Sequence, residues 1–279
     1  MKSLQPVISM SIREYIETLK EKSEERFNNF SIVEINSIKE ILDKAYLEKP
    51  TWLGGDKEFV CLFIDLDKSS KLSFKKHPKV MAKIYDYFTQ NIVDVLNHPK
   101  IGADYIDIKG DGAFGIFEGD QASFKAFYCA LTFKTLFEEK IQPKFSDEKN
   151  TILSCKFGIH KDKILVRRIG IRGDNYEVWA GRLVNNASKL ASQSKNLEQN
   201  FLNQNQLPIL ISEKVYKDFE QKKQFGFYHC CNDGSPIPVN TPMWTEFAEP
   251  TEETFDDKFY FTRTKWCQNC AEGYMNLIN

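Results

Sequence analysis

The chain has 279 residues, of which 42% are apolar and 28% charged, with a formal net charge of −1. These values suit one sizeable domain with extensions, or two small domains, and they exclude a global field that would draw the chain to nucleic acid or an anionic membrane. Any anionic ligand has to be held by locally placed charges. The seven cysteines are an odd number, and Cys61, Cys129 and Cys155 lie in apolar stretches, which argues against a secreted disulfide framework. With no bilayer-length apolar run and no signal-peptide core at the start, the cytoplasm is the expected compartment and no membrane partner is expected.

Ile12, Tyr15, Ile16 and Leu19 recur at helical spacing, as do Ile35, Ile38, Leu42 and Tyr46. They predict an N-terminal helical segment, residues 1–56, ended by the breakers Pro50 and Gly54-Gly55. Its role is either to cover the next domain or to dimerise. FVCLFI (59–64) is a continuous apolar run, the pattern of a strand buried on both faces. Pro78 suits the first turn of a helix whose stripe is Met81, Ile84, Phe88, Ile92 and Val95. YIDI (105–108) and AFGIF (113–117) flank Asp111-Gly112, a strong hairpin signal. A helix over about 121–140 follows, then a strand pair at 152–160 and 163–168, a helix over 180–192 and a strand at 208–211. SQSKNLEQNFLNQNQ (192–206) reads as a polar loop. This order predicts an α/β fold, in detail an α+β sandwich with a mainly antiparallel sheet and packed helices. The catalytic domain is expected over 57–222, and 223–279 as an extension whose KFYFTRTKW (258–266) is a strand able to complete the sheet.

Asp65 and Asp111 stand where apolar strands end. If those strands are neighbours, the two carboxylates converge, and such a pair suits Mg²⁺ or Mn²⁺ completed by phosphate oxygens. Two such ions can activate one oxygen and neutralise the leaving one. An Asp-Gly turn without function explains Asp111 locally about as well.

FIDLDKSS (63–70), KGDGAFGIF (109–117), KFGIHKD (156–162) and VWAGRLVNNASKLAS (178–192) together resemble the class III adenylyl and guanylyl cyclase catalytic domain. The resemblance implies a ferredoxin-type sheet and two Mg²⁺ or Mn²⁺ ions per active site, held by Asp65, Asp111 and the Leu66 carbonyl. It implies that the turn Asp67 to Ser70 offers N–H groups to a nucleoside triphosphate, and that Asn185 orients the ribose. Lys189 replaces the arginine that stabilises charge on the α-phosphate, and Arg172 falls near an arginine that contacts the triphosphate. His160 matches a strand-end position without a catalytic role. In this family the aspartates and the asparagine–arginine pair meet across a two-fold interface, so the resemblance implies a homodimer with composite sites.

For the base, the adenylyl enzymes place a lysine and the guanylyl enzymes a glutamate where this chain has Asp107, and Val178 stands where an adenine-reading aspartate is found. A carboxylate at 107 accepts from a base N–H or amino group, and Trp179 either narrows the pocket or belongs to the core. The pattern with lysine for arginine most resembles the pyrimidine cyclases of bacterial anti-phage (Pycsar) systems. That resemblance implies UTP or CTP as substrate and a separate cyclic-nucleotide-activated effector. A guanylyl cyclase and a catalytically silent nucleotide-binding module are the alternatives, while a diguanylate-cyclase-like palm domain lacks a use for the 185–189 helix. Cys267 and Cys270 form a CxxC, and with Cys230 and Cys231 beside His229 they either bind structural zinc or simply pack.

Overall fold

The structure, a computed structural model, describes residues 11–42, 51–171, 174–200, 207–222, 242–247, 258–267, 271–276 and 278. Helix α1 (Ile12–Asn28) starts in a capping box, Ser11 Oγ accepting from the Glu14 N–H while the Glu14 carboxylate accepts from the Ser11 N–H. Its stripe Ile12, Tyr15, Ile16 and Leu19 is exposed, and the helix buries no residue.

The chain next departs from the helix expected around Ile35. Strand β1 (Ile32–Glu34) pairs in parallel with the start of β2 (Trp52–Leu66), and Ile38–Leu42 is a 3-10 helix. Ile35, Ile38 and Ile41 are buried, and their threefold spacing suits a 3-10 turn as well as an α-helix. Glu118 ties this segment to the sheet, accepting from Ser37 Oγ at 2.8 Å and from the Ile38 N–H at 3.1 Å. Nor do Gly54 and Gly55 break the chain, for they lie inside β2. A Cβ on Gly54 would stand 2.7 Å from the Ile164 carbonyl oxygen, so glycine serves close strand approach there.

Helices α2 (Ser69–Lys75) and α3 (Pro78–Leu96) lead to the hairpin β3 (Tyr105–Lys109) and β4 (Gly112–Phe117). Helix α4 (Ala122–Leu136) passes through one π-turn into α5 (Gln142–Lys149). The strand pair expected at 152–168 is instead one strand, β5 (Cys155–Ile171), and its hairpin partner is β6 (Asp174–Ala180). Helix α6 (Leu183–Asn200) continues well into the segment expected as a loop. Strand β7 (Ile209–Ser212), helix α7 (Glu213–Gln221), strands β8 (Thr245–Phe247) and β9 (Phe259–Thr262), and helix α8 (Ala271–Asn276) follow.

Among the described residues the strands make one mixed, mainly antiparallel sheet in the order β3-β4-β2-β5-β7-β9-β8, with β1 beside β2 and β6 beside β5. The period of two on β2 divides its side chains between two layers. Val60, Leu62, Ile64 and Leu66 pack with α3 and α4, whereas Phe59, Cys61 and Phe63 face the layer that holds Leu183 and Ala187 of α6. That second layer lies very close to the sheet: a Cβ on Gly158 would stand 2.0 Å from the Ala187 carbonyl oxygen. On the first layer Lys134 is fully buried, and its ammonium donates to the carbonyls of Arg263 and Thr264 just beyond β9. Burial pulls its pKa below the ordinary lysine value, against the pull of Glu138 at 3.4 Å.

Candidate active site

The register of β2 with β4 sets Asp65 opposite Gly112, so the tip of the β3–β4 hairpin brings Asp111 beside the end of β2. Gly110 makes that turn at φ 63°, a conformation open to glycine at little cost. Gly112 leaves room for the acid, since a Cβ there would stand 3.0 Å from Asp65 Oδ1. Asp111 Oδ2 is buried and accepts no hydrogen bond from the described residues. Burial, joined by the charges of Asp111 and Asp67, raises the Asp65 carboxyl above its ordinary 3.8, against the pull of Lys156.

Lys156, the first residue of KFGIHKD and not among the candidate site residues, lies across the ladder from Asp65. Its ammonium is 2.8 Å from Asp65 Oδ2 and 3.6 Å from Asp67 Oδ1, and Lys68 approaches Asp67 Oδ2 at 3.3 Å. Burial alone would lower the Lys156 pKa, yet its bonds and charge contacts with Asp65 and Asp67 carry it above the ordinary 10.5. A buried carboxylate oxygen without a donor, next to a carboxylate whose ionisation is disfavoured, is a place for a hard divalent cation. The residues therefore fit Mg²⁺ or Mn²⁺. No group of three or more His, Cys, Asp or Glu side chains among the described residues is placed to hold a metal alone, so a bound nucleotide's oxygens would have to complete the shell. Leu66, the expected carbonyl ligand, follows directly with its side chain in the core.

Asn185 and Lys189 share one face of α6, as residues four apart do, and line a cleft with Gly181, Arg182, Asn186 and Ser188. Asn185 Nδ2 donates to the Gly181 carbonyl at 2.8 Å, which fixes the amide at the helix start. Neither Asp65 nor Asp111 belongs to the lining of that cleft. The seven candidate residues thus fall into an acid pair with Leu66, an asparagine–lysine pair, Asp107, and Arg172, which lies outside the described residues. Asp107 is half-buried on β3 and accepts from Trp179 Nε1 at 3.2 Å, with Lys109 Nζ at 2.8 Å on the same oxygen. His160 is buried, with Nε2 3.3 Å from Asn186 Nδ2 and 3.5 Å from Asp162 Oδ2, placing it between sheet and helix. Of the cysteine group at the C-terminus, Cys267 alone is described, and His229, Cys230, Cys231 and Cys270 lie outside the described residues.

Comparison with known proteins places this chain, with its paired strand-end acids, among the nucleotidyl cyclases. The family described as the adenylate and guanylate cyclase catalytic domain matches residues 56–229, and this chain belongs to that family. It is a nucleotidyl cyclase. A uridylate cyclase from Propioniciclava tarda is 30% identical over 226 residues, covering 79% of this chain and 68% of that protein. Those from Micromonospora echinofusca and Burkholderia cepacia are each 32% identical, the first over 51% of this chain and 47% of its own length, the second over 61% and 69%. In fold, the guanylyl cyclase Cya2 matches with a TM-score of 0.56 at 17% identity, covering 77% of this chain and 96% of that one. A bacterial light-regulated adenylyl cyclase matches with a TM-score of 0.59 at 12% identity, covering 99% and 71%.

Proposed function

We propose that this chain converts UTP into uridine 3′,5′-cyclic monophosphate and pyrophosphate, and that the product is a second messenger of bacterial anti-phage defence read by a separate effector protein. The observation that carries the reading is the convergence of Asp65 and Asp111, in a chain whose relatives include several named uridylate cyclases. In the reaction the 3′-oxygen loses its proton to solvent water and bonds to the α-phosphorus, while the bond from that phosphorus to the pyrophosphate oxygen breaks. Asp65, Asp111 and the Leu66 carbonyl would hold two Mg²⁺ or Mn²⁺ ions per site, which would lend Lewis acidity at the 3′-hydroxyl and offset the charge of the leaving group. Lys156 offsets the charge of Asp65 and Asp67. Asn185 holds the ribose, and Lys189 places its charge at the α-phosphate as a point charge without the fork of an arginine. Arg172 meets the triphosphate, with the backbone N–H groups of the turn at 67–70. All of these act by positioning and electrostatics, so no covalent enzyme intermediate arises.

The cleft of Asn185 and Lys189 excludes the two acids, which supports a homodimer in which each site joins the acids of one protomer to the helix of the other. Asp111→Asn mixed with Lys189→Ala should then recover activity that neither variant has alone, and inactivity of every mixture refutes sharing. No helix among the described residues is long and apolar enough to cross a membrane. The reaction is tested by offering each of the four ribonucleoside triphosphates with Mn²⁺ and weighing the products. Cyclic UMP is expected. Cyclic AMP or cyclic GMP as the main product would refute the base assignment, and no cyclic product from any of them would refute the activity.

A further inference from the structure

Trp179 does not sit as a plain core residue. Its ring packs edge-on against Tyr105 and Phe114, at centroid distances of 5.2 and 5.4 Å. Those contacts, and the pairing of Trp179 with Val166 across the β5–β6 hairpin, leave the indole little freedom. Its single donor, Nε1–H, is spent on Asp107 Oδ2 at 3.2 Å, and the Lys109 ammonium reaches that same oxygen at 2.8 Å. Asp107 and Lys109 point to one side of β3 because they are two residues apart on a strand. The carboxylate is therefore clamped through one oxygen, and Oδ1 accepts from no described residue. By contrast Val178, one position earlier on β6, is 42% exposed and offers no polar atom.

We propose that Trp179 is the positioning residue that makes Asp107 a reader of the base: with Oδ2 held by indole and ammonium, Oδ1 is aimed at the N3–H of a uracil ring. Uracil presents that N–H between two carbonyl oxygens. Asp107 offers an acceptor beside the donor of Lys109, so one carbonyl of the ring can meet the ammonium while the N–H meets the carboxylate. Cytosine has a lone pair at N3 and would set it against the charged oxygen, leaving a polar group unpaired. A carboxylate free to rotate could turn to cytosine's amino group instead, so discrimination depends on the clamp as well as on the acid. This inference rests on the reading that the chain cyclises UTP.

Trp179→Phe keeps a ring between Tyr105 and Phe114 and removes the donor alone. KM for UTP should rise about tenfold while kcat falls less than about threefold, and the preference for UTP over CTP in kcat/KM should drop about tenfold. In an Asp107→Ala background the same change should have no further effect on KM or preference, because Trp179 acts through Asp107. A tryptophan that merely props the fold would lower kcat/KM for UTP and CTP by one common factor and add to Asp107→Ala; either result overturns the proposal. Should Trp179→Phe fail to fold, Asp107→Ala and Lys109→Met, both on the half-open strand β3, decide the matter: each should reduce the UTP preference, and an unaltered preference in both overturns it. Wild-type protein that cyclises UTP while those variants keep its preference sinks this inference alone, whereas wild-type protein that leaves UTP unchanged sinks the uridylate cyclase reading with it.

Discussion

At Gly158 the sheet meets the backbone of helix α6 at close range, and Gly158→Ala tests whether that closeness positions the site. The new Cβ would stand 2.0 Å from the Ala187 carbonyl oxygen and 2.6 Å from the Ala191 nitrogen. Both atoms belong to the helix backbone, so no side chain can swing aside. The helix has to move away by on the order of 1 Å, a misplacement that costs about 100-fold in turnover when it separates reacting groups. Asn185 and Lys189 flank Ala187, so they travel with the contact. Overfilling of this kind costs about 1–3 kcal/mol of stability. Turnover of UTP with saturating Mn²⁺ should accordingly fall about 100-fold, while urea unfolding still shows a folded protein with a lowered midpoint. Gly273→Ala is the matched comparison, because a Cβ there meets nothing within 4 Å, and it should leave both measurements near wild type. Wild-type turnover and stability in Gly158→Ala would refute the account of how α6 is seated.

Lys156→Met removes the ammonium between Asp65 and Asp67 and should cost about 3 kcal/mol in the presence of a chelator, since it leaves partly buried acids facing each other. Mn²⁺ should then raise the melting temperature of this variant more than that of wild type; equal shifts would show that the acids and the ion do not share a site. Burial of Glu118 opposes its ionisation, but the Ser37 hydroxyl, the Ile38 N–H and Lys57 outweigh burial and hold its carboxyl below 4.5. Its folded pKa is therefore depressed, and the stability it contributes is present above pH 4.5 and lost as pH falls through the folded value. Glu118→Gln should cost about 1–3 kcal/mol at neutral pH, with the deficit shrinking in acid, as read by urea unfolding across pH. A deficit that stays constant into acid would contradict a role for the Glu118 charge in holding Ser37, Ile38 and Lys57.

The acid pair was legible because each aspartate follows an apolar run that is itself a strand signal, and because a hairpin tip has few possible shapes. Lys156 was not, since its meaning lies in a ladder partner, and register is a tertiary property invisible to periodicity. Lys161 and Asp162, between the two expected strands, read as a turn, yet β5 runs straight through them. Lys161 pairs with Asp218 and Lys163 with Asp56, so the charges are satisfied without the strand ending. Helix α6 outlasts its expected end for a related reason. Its last turns carry few apolar residues, of which Leu197 is buried beside Leu190, Leu210 and Phe259, and one row of contacts suffices to keep a polar helix on the sheet. Asp107 and Trp179 were each visible as single residues; that one holds the other emerges only when β3 and β6 are seen on the same side of the sheet.

The ammonium of Lys134 has a consequence for how the molecule can be divided. The carbonyls that satisfy it come from Arg263 and Thr264, beyond the last residue of the family match. A fragment trimmed to that match would leave a sealed cation with Glu138 as its counterweight and would bare the outer rim of β7. Strand β9 and the two residues after it thus work as a cork on the cyclase core.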